Sequence, residues 1–169
     1  MRHRPRILIS RCLLGEAVRY DGGHRHAPSL VAALRREAEL VPICPEVEAG
    51  LGVPRPPIRL LRCGGAIRVV EVGAPGVEVS QPLQQAIRAA LGSAGALHGV
   101  VLKARSPSCG AGSVPRFDEA GEESDRGDGL LAGALRSAFP GLPVREEEAL
   151  ETPAAIAAFL DEVRSYFGR

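Results

Sequence analysis

Short apolar runs alternate with amphipathic segments along this chain, a pattern typical of alternating β-strands and α-helices. Three of the runs predict buried strands, ending near Ser10 and covering residues 40–44 and 98–103. Between and after them, apolar residues recur three or four positions apart, which predicts helices over residues 29–40, 80–94, 128–139 and from Thr152 onward. Strands that alternate with helices usually form a mostly parallel sheet. The pattern therefore predicts a Rossmann-like α/β fold with three α/β/α layers.

Weaker signals fill the rest of the chain. Residues 66–72 and 141–144 each have the composition of a short strand. Residues 45–57 are rich in proline and glycine and predict a loop, and residues 104–129 predict a second, much longer one. Loops of that length inside compact domains are usually functional or mobile. The length of 169 residues suits one domain covering residues 1–169.

Charge and composition narrow the class of partner. The formal net charge is only +1, which gives no general attraction to a polymeric nucleic acid or to an anionic membrane. No apolar stretch approaches the length of a membrane span, and the run after the Arg-rich start is too short for a secretory signal. We therefore expect a cytoplasmic protein that acts on a small molecule.

The cysteines carry the clearest chemical signal. Cys12, Cys44 and Cys109 each follow one of the three buried strands, and the carboxyl ends of parallel strands share the edge of the sheet where ligands bind. In a reducing compartment they would remain thiols, available to a metal or for catalysis. Taken singly, each could be a small buried hydrophobe. Cys63 lies apart from them, and we expect it to be a packing or surface residue.

Five sequence blocks together resemble the thiouracil desulfidase family, formerly a domain of unknown function in bacteria and archaea. The blocks span residues 9–15, 18–22, 41–47, 53–57 and 102–110, and read ISRCLLG, VRYDG, VPICPEV, VPRPP and LKARSPSCG. The resemblance implies a [4Fe–4S] cluster held by Cys12, Cys44 and Cys109. It also implies removal of sulfur from thiolated uracil bases or nucleotides, such as 2-thiouracil or 4-thiouridine monophosphate, with release of sulfide.

A mechanism can be outlined on that basis. Three cysteines would leave one iron of the cubane without a protein ligand, free to bind a soft thiocarbonyl sulfur and polarise the C–S bond toward water. Glu46, two residues after Cys44, is the candidate general acid or base. Ser106 and Ser108 could hold the pyrimidine or the water, and Lys103 could stabilise negative charge on the base. Otherwise the carboxylate could pair with an arginine, and the serines could bond to nearby backbone.

Four further residues are candidates for substrate binding. Tyr20 could stack on the base while Arg19 meets a phosphate, and Asp21 completes this polar group. An Arg–Asp pair of purely structural function would explain two of the three equally well. Arg55, between two prolines, could also reach a phosphate.

Two other functions compete with the desulfidase. The first is a zinc-binding or nucleotide-binding module without turnover, in which Cys63 or a histidine from His24 and His26 completes a tetrahedral zinc shell with the three cysteines. The chain has no Cys-x-x-Cys pair, which structural zinc sites usually use. The second is an enzyme with Cys109 as its nucleophile, which would need a nearby base.

Overall fold

The computed structural model describes residues 3–169 and contains eight strands and five α-helices in that part of the chain. In chain order the elements are β1 (Arg6–Ser10), α1 (Pro28–Glu37), β2 (Glu39–Ile43), α2 (Pro45–Glu48), β3 (Ile58–Cys63), β4 (Ala66–Glu71), α3 (Ser80–Ser93), β5 (Gly99–Leu102), β6 (Val114–Phe117), β7 (Glu123–Gly127), α4 (Leu130–Ala138), β8 (Val144–Glu146) and α5 (Pro153–Phe167). Two 3-10 turns, Arg11–Leu14 and Glu147–Leu150, follow β1 and β8.

The main sheet has the strand order β2-β1-β5-β8, and all its pairings are parallel. β5 is buried at every position, as a central parallel strand should be. Pro42 lies in β2 at the edge of the sheet, where a missing N–H costs no ladder bond. The chain leaves β1 toward one side to form β2 and later returns on the other side as β5. This reversal opens a crevice at the carboxyl ends of the strands.

Helices cover both faces of the main sheet. On one face, Ile7 and Ile9 of β1 share a core with α1 and α5, which contribute Leu34 and Phe159. On the other face, Leu8 packs with residues of α3 and α4. The last helix starts where Thr152 accepts the Ala155 N–H at 3.1 Å and Pro153 fills the first turn. The predicted three-layer α/β/α fold with a mostly parallel sheet is confirmed.

A second sheet, with the order β4-β3-β6-β7, is an addition that the sequence pattern does not predict. Two antiparallel hairpins form it, and β3 and β6 join them in parallel. Its core contains Leu60, Val69 and Val114, packed against Leu83 of α3. The predicted loop over residues 104–129 is therefore wrong in part, since it contains β6 and β7. The residues of β7, Glu-Ser-Asp-Arg-Gly, have no apolar member, so the strand is held by backbone pairing with β6 and by polar side-chain contacts such as that of Asp125 with Arg116.

Most other predicted boundaries differ from the observed ones by one to three residues. The short helix α2 begins directly after Cys44, inside the segment predicted as a loop. β8 lies three residues beyond the start of the predicted strand because Leu142 donates its N–H to the Phe139 carbonyl in a turn. No helix within residues 3–169 combines the length and hydropathy needed to cross a membrane.

Candidate functional site

The three predicted cysteines meet at one cavity on the carboxyl edge of the main sheet. The cavity has a volume of about 290 Å³, and Cys12, Cys44 and Cys109 all line it. Each thiol is buried and free of any disulfide. Besides burial, the electrostatic influence of Cys44 raises the pKa of both other thiols. The sheet edge thus brings together residues separated by up to 97 positions.

Cys12 is held by the 3-10 turn that follows β1. Its carbonyl oxygen accepts the N–H groups of Gly15 at 3.3 Å and of Arg25 at 2.9 Å, so the loop after the turn folds back over it. Gly15 has a φ of +89°, in the left-handed region where glycine is favoured. Burial raises the pKa of the Cys12 thiol to about 11.

Cys44 is the residue at which β2 passes into α2. Its carbonyl oxygen accepts the Glu48 N–H at 3.0 Å and so starts the helix. Burial raises the pKa of the Cys44 thiol, while a hydrogen bond from the Val47 N–H acts in the opposite direction. Such a bond stabilises sulfur in its thiolate form.

Cys109 lies in a tight turn after β5, where the Ser106 carbonyl accepts the N–H groups of Cys109 and Gly110 at 3.1 and 2.7 Å. The turn is docked on the start of α4, because Leu131 donates its N–H to the Ser108 carbonyl at 2.9 Å. Burial raises the pKa of the Cys109 thiol to about 12, against the opposing effect of hydroxyl hydrogen bonds from Ser10 and Ser108.

These shifts bear on the competing nucleophile function. A catalytic cysteine normally has a lowered pKa and a base beside it, whereas the pKa of Cys109 is raised. No histidine is among the described residues that line the cavity. Thiols buried in this way give up their protons when a cation binds them, so the site suits metal ligation better than nucleophilic attack.

Glu46 is buried on α2 and points two hydrogen-bond acceptors at different partners. Its Oε1 accepts from Arg55 Nε at 3.0 Å, and its Oε2 accepts from Ser108 Oγ at 2.7 Å. The other two nitrogens of Arg55 donate to the carbonyl oxygens of Gly52 and Val18, each at 2.8 Å. All three guanidinium nitrogens of Arg55 thus donate to protein groups. Arg55, which we predicted to bind a phosphate, instead fixes the position of Glu46.

The two predicted serines form a short chain of hydroxyl groups that leads to this carboxylate. Ser106 Oγ lies 3.2 Å from Ser108 Oγ, which in turn contacts Glu46 and lies 3.7 Å from the sulfur of Cys109. Ser106 Oγ also accepts the Cys109 N–H at 3.3 Å. The structure therefore brings Glu46, Ser106 and Ser108 together beside one thiol.

Lys103 lines the cavity from the end of β5 and is only 8% exposed. Its Nζ donates to Glu147 Oε1 at 2.5 Å and to the Ala104 carbonyl at 3.1 Å. Its backbone N–H donates to Ser10 Oγ at 3.0 Å, which leaves the Ser10 hydroxyl proton free to reach the sulfur of Cys109. Sequence reasoning did not find Ser10 or Glu147, because their contacts depend on the alignment of strands.

Two of the three predicted substrate-binding residues after Cys12 line the cavity, and the third does not. Arg19 and Tyr20 line it, with the guanidinium 5.6 Å from the centre of the Tyr20 ring. Asp21 is not among the lining residues. Its Oδ1 accepts the Gly23 N–H at 2.9 Å, a bond that lowers the pKa of the carboxyl and shapes the turn. Arg25, which sequence reasoning missed, lines the same cavity.

The ligands proposed for zinc do not gather at the cavity. Cys63 ends β3 in the second sheet, and neither it nor His24 or His26 lines the thiol cavity. Within residues 3–169, no group of three or more His, Cys, Asp or Glu side chains is placed to hold a single metal ion. Three buried thiols around a shared cavity fit instead a cluster of several irons, whose ligands are thiolates bound to different metal atoms.

Comparisons with known proteins agree with this donor set. The family model described as 2-thiouracil desulfurase matches residues 7–147. The uncharacterized protein YbbK of Bacillus subtilis (strain 168) is 31% identical over 140 residues, covering 78% of this chain and 90% of YbbK. A solved structure of the [4Fe-4S]-dependent thiouracil desulfidase TudS is 33% identical with a TM-score of 0.71, covering 92% of this chain and 97% of TudS. The chain described here belongs to the 2-thiouracil desulfurase family.

Proposed function

We propose that this protein is a [4Fe–4S]-dependent desulfidase that removes sulfur from a thiolated uracil and releases it as sulfide. The observation that carries the proposal is the meeting of Cys12, Cys44 and Cys109 at one cavity with no fourth cysteine among its lining residues. These three thiols would hold the cluster. Family membership and the likeness to TudS support the same cofactor and the same reaction.

When bound, the cluster would supply an iron without a protein ligand, which attracts the substrate sulfur and polarises the C–S bond. The protein's part is to deliver water and protons. Glu46, held on one side by Arg55 and on the other by Ser108, would take a proton from the attacking water. A C–O bond forms and the C–S bond breaks. The sulfur takes the second proton of the water and leaves as hydrosulfide, and the thiolated ring becomes a uracil ring.

Three residues would assist this hydrolysis. Ser106 and Ser108 give the proton on Glu46 a path along a chain of hydroxyl groups. Lys103 places a buried ammonium group at the cavity wall, where it would stabilise negative charge on the ring as water adds.

We further propose that the enzyme prefers a thiolated nucleoside monophosphate to the free base as its substrate. Arg19 and Arg25 line the cavity, and the only carboxylate in the described chain that pairs with either is that of Asp21, 4.0 Å from Arg19. Two arginines whose guanidinium N–H groups are not all used by the protein can bind a phosphate group. Tyr20, which is 41% exposed, offers a ring face on which the base can stack.

Cysteine variants test this proposal. Cys63 serves as the internal control because it does not line the thiol cavity. After anaerobic reconstitution with iron and sulfide, we expect wild type and Cys63→Ala to show the visible absorption of the cluster and to release sulfide. Cys12→Ala, Cys44→Ala and Cys109→Ala should lose both. Wild type that stays colourless under these conditions while it binds zinc stoichiometrically would refute the proposal, as would loss of the cluster in Cys63→Ala alone.

The same assay separates base from nucleotide. Sulfide release from 4-thiouridine monophosphate should exceed release from 2-thiouracil and from 4-thiouridine. Arg25→Gln should raise KM for the nucleotide and leave KM for the nucleoside unchanged. Equal kcat/KM values for the nucleotide and the nucleoside would disprove the phosphate contact and leave the desulfidase function standing.

A further inference from the structure

Three consecutive acidic residues at the end of β8 and just after it each hold a different part of the loop that carries Cys109: Glu146, Glu147 and Glu148. Glu146 Oε1 accepts the Ala111 N–H at 2.8 Å and also the hydroxyl of Ser113. Glu148 pairs with the guanidinium of Arg105 at 2.6 Å. Glu147 uses both carboxylate oxygens, one for Lys103 Nζ at 2.5 Å and the other for the Ala104 N–H at 2.7 Å.

Glu147 differs from its neighbour in how far its ion pair is removed from water. The side chains of Lys103 and Glu147 are 11% and 15% exposed, whereas those of Arg105 and Glu148 are 50% and 46% exposed. An exposed ion pair contributes little, but removal of one partner of a buried pair leaves the other buried and uncompensated. Of the three glutamates, Glu147 is therefore the one whose ion pair holds a buried ammonium group, that of Lys103, in place.

Glu147 contacts Lys103 Nζ without lining the thiol cavity itself. Lys103 lines the thiol cavity and a second, neighbouring cavity, and Glu147 lines only the second of these. The carboxylate can orient Lys103 without occupying space that the substrate needs.

We propose that Glu147 is a positioning residue that holds the Lys103 ammonium at the wall of the thiol cavity and anchors the start of the Cys109 loop through the Ala104 amide. This inference rests on the proposed function for the role of Lys103. Outer residues that orient the groups around a metal site typically contribute 10- to 100-fold to activity.

The kinetic test uses Glu147→Gln, which keeps the shape of the side chain and removes its charge. In enzyme matched to wild type for iron content, we expect kcat for sulfide release to fall roughly 10- to 100-fold, with KM almost unchanged. Because Glu147 acts through Lys103, the same change made in a Lys103→Met background should lower kcat by no more than about twofold. Glu148→Gln is the matched control and should leave kcat within about twofold of wild type.

A second readout does not depend on turnover. Glu147→Ala removes the acceptor for the Ala104 N–H, so amide hydrogen exchange in the peptide covering residues 103–113 should become roughly tenfold faster, the equivalent of one lost hydrogen bond. Glu148→Ala should not change it. Unchanged exchange in Glu147→Ala, or an equal loss of kcat in the presence and absence of Lys103, would overturn the inference. Wild type that releases no sulfide would refute the proposed function, and the exchange experiment would still decide whether Glu147 anchors the loop.

Discussion

The buried pair between Arg55 and Glu46 makes the protein's stability sensitive to one substitution, Arg55→Leu. The two side chains are 4% and 12% exposed, and their closest atoms are 3.0 Å apart. Arg55 also donates to the carbonyl oxygens of Gly52 and Val18, so the substitution removes three hydrogen bonds. It leaves the Glu46 carboxylate buried with Ser108 as its remaining hydrogen-bond donor.

The loss of unfolding free energy should be larger when one partner of the buried ion pair is removed than when both are removed. Removing one partner leaves an uncompensated charge away from water, which costs roughly 3–5 kcal/mol of unfolding free energy. That is a large share of the 5–15 kcal/mol by which native domains are usually stable. Replacing both partners removes the stranded charge as well. We therefore expect the double variant Arg55→Leu with Glu46→Leu to recover about half or more of the lost stability.

Urea unfolding provides the measurement, under anaerobic reducing conditions and on preparations matched for iron content. The matched control is Arg164→Leu, since Arg164 pairs with Glu37 and Asp161 on the exposed surface and should cost less than about 1 kcal/mol. If Arg55→Leu cost no more than this control, or if the double variant were less stable than the single one, the buried pair would not have the role assigned to it.

Three further predictions follow from other contacts. Ser108→Ala removes the 2.7 Å donor to Glu46 Oε2, so kcat for sulfide release should fall about 10- to 100-fold while iron content stays at the wild-type level; loss of iron in step with activity would contradict this. Burial and the nearby charge of Arg6 lower the pKa of His98 in the folded protein, so the unfolded chain binds more protons just below the ordinary pKa of about 6.5. Wild type should therefore lose stability below that pH relative to His98→Asn, which retains an acceptor for the Arg6 N–H, and parallel pH profiles of the two would refute the assignment. Gly99→Ala would place a Cβ 2.6 Å from Val163 and 3.2 Å from the Phe159 ring, so it should cost about 1–3 kcal/mol in thermal or urea unfolding, and no loss would mean that α5 can move away from β5.

The sequence was sufficient to predict the main sheet and the convergence of the thiols. Both depend on local patterns, namely buried runs of Val, Ile and Leu and cysteines placed just after them. Once the strands are parallel, their carboxyl ends must share an edge, so Cys12, Cys44 and Cys109 must lie at that edge as well. The structure agrees in each case.

The second sheet and the partners of the site residues depend on pairings that no local pattern specifies. β3 and β6 lie more than 50 residues apart in the chain and pair in parallel, and β7 contains no apolar residue that would mark it as a strand. Glu147 reaches Lys103 only because β8 pairs with β5, with Glu146 opposite Leu102. Such contacts follow from the register between strands, which a single sequence does not reveal.

The charges around the cavity support the proposal that a nearly neutral protein binds a substrate with one phosphate. Six cationic side chains line the cavity. Four of them pair with carboxylates at 3.0 Å or less: Arg11 with Glu16, Arg55 with Glu46, Lys103 with Glu147 and Arg105 with Glu148. Arg19 lies 4.0 Å from Asp21, and Arg25 has no carboxylate partner among the described residues. Paired charges cancel at distances beyond a few ångströms, so they offer little attraction to an extended polyanion. The electrostatic attraction that is left is short-ranged and centred on Arg19 and Arg25, beside the thiols. In the nucleotide proposed above, a single phosphate would meet these two arginines while the thiolated ring lies beside the thiols.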